Sequence, residues 1–255
     1  MGYEIRQMSF AEVLDTGFKL LRSHFGLLVG LAAIVYVPLA FLGAYLQAVG
    51  EAPAPGTMEN VTMLVGSALM VALLLMLGTT IVFAAVTYAI GQVYLDRQVT
   101  HGEALGHVMQ RILPLLGSSI LYLLFVTLGL LLLILPGIYL MLGYMLLWPV
   151  MLVEDVFGMR ALRRSRELMR GRMLRGFGVI VVATLISTII TSAGELAFGA
   201  VPVLGPLVAG IGQAVGGAYG SAVLVVLYFD ARCRHEAFDL EHLAAQVSES
   251  TPALA

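Results

Sequence analysis

Glu103 and His107 stand four residues apart, and His101 lies six residues before His107. On a helix the i,i+4 pair shares one face. A carboxylate beside an imidazole is a starting point for acid–base work, or two legs of a metal site. Two residues are not a zinc site, and the pair reads as a solvated helix face. His235-Glu236 and Glu241-His242 are adjacent pairs whose side chains diverge on a helix, so they read as surface. No Gly-rich phosphate loop precedes a lysine of the nucleotide-binding kind. Cys233 is the only cysteine, so no intrachain disulfide can form. These residues lead to an expectation of no catalytic group, no metal and no cofactor.

The denser chemical signal is cationic. Arg160, Arg163, Arg164, Arg166, Arg170, Arg172 and Arg175 make up half of the 14 lysines and arginines, and long apolar stretches flank them. Carrying guanidinium groups across a bilayer is costly, so such a block stays on the cytoplasmic side. Basic residues at an anionic leaflet attract acidic headgroups at about 1 kcal/mol each. Arg160, Arg163, Arg164, Arg166 and Arg170 are therefore candidate headgroup-binding residues. The other reading is topological. The arginines then hold orientation and pair with charges at the span ends, where Asp96, Arg97, Glu154, Asp155, Asp230 and Arg232 form a candidate ion-pair ring. Both readings stay open at this level.

The bulk composition agrees with a bilayer setting. The chain is 60% hydrophobic and 12% charged, with mean hydropathy +0.95. A soluble domain carries about 25% charged residues, so the class is all-α polytopic membrane protein. Net charge is −2, which gives no basic field for nucleic acid.

Six spans are expected, at about 25–48, 61–94, 115–135, 138–153, 177–196 and 207–229. Three interfacial amphipathic helices precede them in turn, at about 9–23, 100–112 and 157–171. Ser9-x-x-Glu12 and Thr100-x-x-Glu103 are capping-box patterns that start the first two. The 61–94 stretch would reach about 51 Å as a helix, more than a hydrocarbon core of about 30 Å. It is expected to tilt, to break near Gly78-Thr79-Thr80, or to project. Pro136-Gly137 is a turn signal that makes spans three and four a tight hairpin. Residues 1–243 are read as one membrane domain and 244–255 as a disordered tail. Acidic and cationic residues precede the first apolar run near Phe25, so no cleavable signal peptide is expected.

Assigning the connections alternately puts all 14 cationic residues on one side, which places both termini in the cytoplasm. The chain also divides into three units, each an amphipathic helix and two spans, ending at Arg97, Asp155 and Arg232. If the units surround a pseudo-threefold axis, the acidic span ends converge with the arginines.

Four strings occur in order: Phe10 to Leu27, Leu135-Pro136-Gly137-Ile138-Tyr139, Glu154 to Gly171 with Ala161-Leu162-Arg163-Arg164-Ser165, and Leu227-Tyr228-Phe229-Asp230-Ala231-Arg232. Over about residues 8 to 243 the chain resembles the membrane domain named after glycerophosphoryl diester phosphodiesterases and its stand-alone bacterial relatives. The resemblance implies a bacterial inner-membrane protein. Some family members carry a phosphodiesterase barrel, but its His-Arg-Gly metal-site signature follows none of this chain's five histidines. The resemblance supplies no catalytic residue to carry over.

The function expected is a non-catalytic, lipid-interacting scaffold or partner subunit in envelope homeostasis. Its partners would be membrane phospholipids with acidic headgroups and a membrane protein. The runner-up is a transporter or lipid-translocating protein, which a polar-lined cavity between spans would favour. No Asp, Glu, Lys, Arg or His lies deep in a span, and Glu195 near the outer end of span five comes closest. Reporter fusions at Ala54 and at Ala200 test the threading. They are expected to report the side opposite the cytosol, and a cytosolic signal from either breaks it.

Overall fold

The computed structural model describes residues 6–50, 58–95, 97–199 and 201–236. Asp96, most of the 50–56 loop and the 244–255 tail lie outside the described residues. Within them the elements are all helical: α1 (Phe10–Ser23), α2 (Phe25–Gly50), α3 (Met58–Tyr94), α4 (His101–Gln110), α5 (Ile112–Leu132), α6 (Ile134–Gly143), α7 (Leu147–Val153), α8 (Met159–Met169), α9 (Met173–Phe198) and α10 (Leu204–Glu236). Six stretches are long and apolar enough to cross a membrane: Phe25–Tyr45, Leu77–Tyr94, Ile112–Leu132, Ile134–Val153, Met173–Phe198 and Leu204–Glu236. The protein is membrane-embedded, and helices satisfy their own backbone groups where no water can.

Capping chemistry sets two starts. Glu12 Oε2 accepts from Ser9 N at 2.6 Å while Ser9 Oγ accepts from Glu12 N at 3.3 Å. Thr100 and Glu103 repeat the exchange at 2.8 and 3.3 Å. Each pair satisfies two donors that a helix start leaves orphaned.

α10 is the hub. It packs on α9, α2, α1 and α3, and touches α7 and α8 near its C-terminal end. Eleven consecutive residues, Ser221 to Ala231, are buried on every side. Small residues permit the close crossings. A Cβ on Gly210 would sit 2.7 Å from Val37 Cα, and one on Gly212 would sit 3.3 Å from Thr191 Cα, so α2 and α9 flank α10 at near backbone contact. Gly17 does the same for α1, where a Cβ would meet Val223 Cγ2 at 2.7 Å. α5 and α6 pack mainly on one another, to the side of the hub. The three units are therefore not equivalent around an axis.

The chain reverses between spans three and four at Leu133, a single extended residue (φ −159°, ψ 136°), and not at Pro136-Gly137. Pro136 instead occupies the first turn of α6, where its missing N–H is no loss. Gly137 is needed for closeness: a Cβ there would lie 2.6 Å from Leu130 N. Span four is interrupted between α6 and α7. Pro149, in the first turn of α7, has no N–H for the carbonyl one turn back, so a continuous helix through Met145 would lose a bond. α3 runs unbroken past Gly78-Thr79-Thr80, and its 37 residues reach about 55 Å.

Gly210→Ala places its new methyl against backbone and is expected to lower stability by about 1–3 kcal/mol. Gly26→Ala, with nothing within 4 Å of its Cβ, is expected to be neutral or mildly stabilising. Thermal unfolding of the two variants in the same detergent checks the contrast.

Candidate functional site

The arginine block divides by what each side chain touches. α8 is docked from two directions: Gly158 N donates to Ser118 Oγ at 2.8 Å, and Ser165 Oγ donates to the Gly143 carbonyl at 3.0 Å. Its Ala161, Leu162, Ser165, Leu168 and Met169 are buried. Arg160, Arg163, Arg166 and Arg170 consequently face outward, with Glu167 among them. Arg160, Arg163 and Arg170 have no acidic partner among the described residues. Arg166 lies over the Tyr139 ring, 5.2 Å from its centroid.

Arg164 is turned inward. It grips Glu154 through Nε at 2.8 Å and Nη2 at 3.1 Å, and also pairs with Glu236. Tyr228 Oη donates to Glu154 at 2.8 Å, and Arg232 binds Glu236 at 3.1 Å with Glu154 at 3.9 Å. The two carboxylates hold the Arg164 guanidinium's pKa above its ordinary value, with Glu236 contributing most.

A second cluster centres on Asp230, whose side chain is 2% exposed. Arg175 reaches it at 2.9 Å, as does Arg234 from one turn on. Met8 N donates to the same carboxylate at 2.8 Å, and both guanidiniums donate to the Met8 carbonyl, at 2.6 and 2.5 Å. The chain leading into α1 is thereby clamped between the start of α9 and the end of α10. A third pair stands apart: Arg111 binds Asp155 through two bonds of 2.6 and 3.1 Å. That guanidinium holds the Asp155 carboxyl below the ordinary aspartate value.

Glu154, Asp155, Asp230 and Arg232 thus fall into three clusters, not one ring. Among the described residues the Arg97 side chain reaches its own helix end, at Gln92 Oε1 (3.5 Å), and Asp96 lies outside them. Sequence reading missed Met8, Tyr228, Arg234 and Glu236 as partners. The i,i+4 spacings Asp230/Arg234 and Arg232/Glu236 were available as a signal.

Glu103 and His107 do not converge. Glu103 is spent on capping Thr100. His107 is not a solvated face: its ring stacks on Tyr88 at 3.9 Å, and its Nε2 is buried without a hydrogen-bond partner among the described residues. Among the described residues no three His, Cys, Asp or Glu side chains are close enough to hold a metal ion.

A crevice of about 690 Å³ runs along α10 on another side of the hub. Gly216, Gly217 and Gly220 form its floor, α9 is one wall, and α2, α3 and α7 are the other. Phe83 and Trp148, edge to face at 5.4 Å, line it toward the arginine-rich end. A second space of about 600 Å³ continues it toward Glu195 and Gly205, and the two share Tyr36 and Gln213. The α9 wall carries Thr184, Ser187, Thr188, Thr191 and Ser192. Their i, i+3, i+4, i+7 and i+8 spacing is a polar stripe that the sequence displays and that charge counting overlooks.

Burial holds the His107 imidazole below its ordinary pKa of 6.5, Arg111 adds to this, and Asp155 opposes it. The unfolded chain therefore takes up this proton more readily. The stability due to neutral His107 is present above about pH 6.5 and is lost as pH falls through the depressed folded value. His107→Phe keeps a stacked ring and is expected to flatten the acid limb of a Tm-versus-pH curve between pH 7 and 5. An unchanged limb refutes the assignment.

Known proteins offer no likeness to set beside this geometry: no family model, no curated protein and no solved structure matches the chain.

Proposed function

We propose that the chain is a non-catalytic protein of a bacterial inner membrane that gathers acidic phospholipid headgroups on the outward side of α8. The supporting observation is the division of the arginine block. Arg164, Arg172 and Arg175 are spent inside the protein, whereas Arg160, Arg163, Arg166 and Arg170 stand outward on one firmly docked helix. A helix merely fixing topology needs positive charge but has no need of a pinned, outward array. Large apolar side chains are exposed on α8 and on the elements next to it, including Leu113, Met159 and Leu174. They suit an interface where acyl chains begin.

In this reading α1, α4 and α8 are interfacial amphipathic helices on the cytoplasmic side, and each precedes two spans in a hairpin. Both termini are cytoplasmic. The role is that of a lipid-interacting scaffold or partner subunit in envelope homeostasis, which agrees with the resemblance to the stand-alone relatives of the phosphodiesterase-associated membrane domain. The runner-up, a lipid-translocating protein, is favoured by the polar-lined crevice between spans.

Replacing Arg160, Arg163, Arg166 and Arg170 together by Gln is expected to leave insertion and Tm near the parent values. Copurifying phosphatidylglycerol and cardiolipin should fall at least tenfold, since four cations at about 1 kcal/mol each exceed that factor. The parent's binding should also weaken with salt. Arg164→Met is expected to do the reverse, lowering Tm with little change in bound lipid. Unchanged acidic lipid in the fourfold variant overturns the proposal.

A further inference from the structure

The crevice along α10 is a feature that the arginine face does not explain. From Gly205 to Leu224 it follows roughly 28 Å of helix, close to the thickness of a hydrocarbon core of about 30 Å. The part between Trp148 and Gln213, about 690 Å³, by itself falls within the range of small-molecule sites, about 300–1,000 Å³.

Its chemistry is specific. Among the described residues no charged side chain lines the part between Trp148 and Gln213, and Glu195 is the single carboxylate in the continuation. Apolar contact comes from Phe83, Trp148, Met145, Ile180 and Leu224. Ser187 Oγ donates to the Gly216 carbonyl at 2.9 Å, Thr188 Oγ1 to Thr184 O at 2.9 Å, and Thr191 Oγ1 to Ser187 O at 3.0 Å. Each hydroxyl hydrogen is therefore used, and what these three present to the crevice is lone pairs, which are acceptors. The Gln213 amide and the Tyr36 hydroxyl have no hydrogen-bond partner among the described residues, so they present donors. Gln213 lies about 13 Å along α10 from Leu204, at a depth where lipid alone cannot satisfy an amide.

We propose that the crevice binds one uncharged glycerolipid of diacylglycerol type. Its free hydroxyl donates to the threonine and serine stripe of α9. Its ester carbonyls accept from Gln213 and Tyr36, and an acyl chain lies along the glycine floor. A charged headgroup finds no counter-ion in the half between Trp148 and Gln213, and an acidic one would face Glu195 in the other. The proposal is independent of headgroup binding at α8.

The test uses the full chain reconstituted in phosphatidylcholine vesicles with a photoactivatable diacylglycerol, and crosslinks are located by mass spectrometry. Labelling is expected on the segments of α9 and α10 holding Thr188 and Gln213, and unlabelled diacylglycerol should compete it away. Gln213→Leu, similar in size, is expected to cut labelling about fivefold, the value of one lost hydrogen bond. Thr188→Phe, which fills the crevice from the α9 wall, should abolish it. If Thr188→Phe fails to fold, Gln213→Leu decides alone. Labelling unchanged in Gln213→Leu of parental Tm overturns the proposal. So does equal competition by phosphatidylglycerol. Hydroxyl-radical footprinting that marks Gln213 undiminished in excess diacylglycerol would assign the crevice to water and overturn it as well. The fourfold α8 arginine variant should label like the parent, which separates failure here from failure of the headgroup reading.

Discussion

Asp230 is a carboxylate with almost no access to water, on a helix whose neighbouring residues are buried all round. An ion in such a place costs several kcal/mol unless it is paired and its remaining lone pairs are used. Arg175 and Arg234 supply the charge, and Met8 N takes a further lone pair. The guanidiniums have donors to spare, which they place on the Met8 carbonyl. Three segments far apart in sequence are joined by that one requirement: the approach to α1, the start of α9 and the end of α10. Glu154 makes the same demand nearby and ties α8 to α10 through Arg164 and Tyr228.

These constraints explain why a run of similar arginines does two kinds of work. The residues that meet buried carboxylates are consumed by them. Those on the far side of α8 are left outward, because Leu162, Leu168 and Met169 occupy the inward face. Seven adjacent cations would repel one another in water. Here repulsion is reduced by sending some inward to fixed partners and spreading the rest over about three turns.

α10 combines tight packing with a void by the same means. Gly210 and Gly212 let α2 and α9 approach its backbone. Farther along, Gly216, Gly217 and Gly220 leave a floor without side chains, and the Phe83/Trp148 pair stands over its end toward Leu224. Glycine thus sets helix separation at one level and crevice depth at the next. Serine and threonine on α9 make the wall polar without isolating a charge in lipid.

Composition and hydropathy alone establish an all-helical, membrane-embedded chain, because about twenty apolar residues in succession have no other stable use. The capping boxes at Ser9 and Thr100 are equally local and can be read from spacing, as can Arg160, Arg163, Arg166 and Arg170 on the outward side of α8, but Arg164, expected among them, is turned inward to Glu154 and Glu236. Which carboxylate meets which guanidinium is not local. Arg164–Glu154 and Arg175–Asp230 depend on how helices stack, and only the nearby Arg234–Asp230 and Arg232–Glu236 contacts carry a sequence period. The reversal at Leu133, the stacking of His107 on Tyr88 and the crevice along α10 are likewise decisions of the tertiary structure. Each turns on the separation of two backbones. A linear pattern records the size and polarity of a side chain but not what stands opposite it.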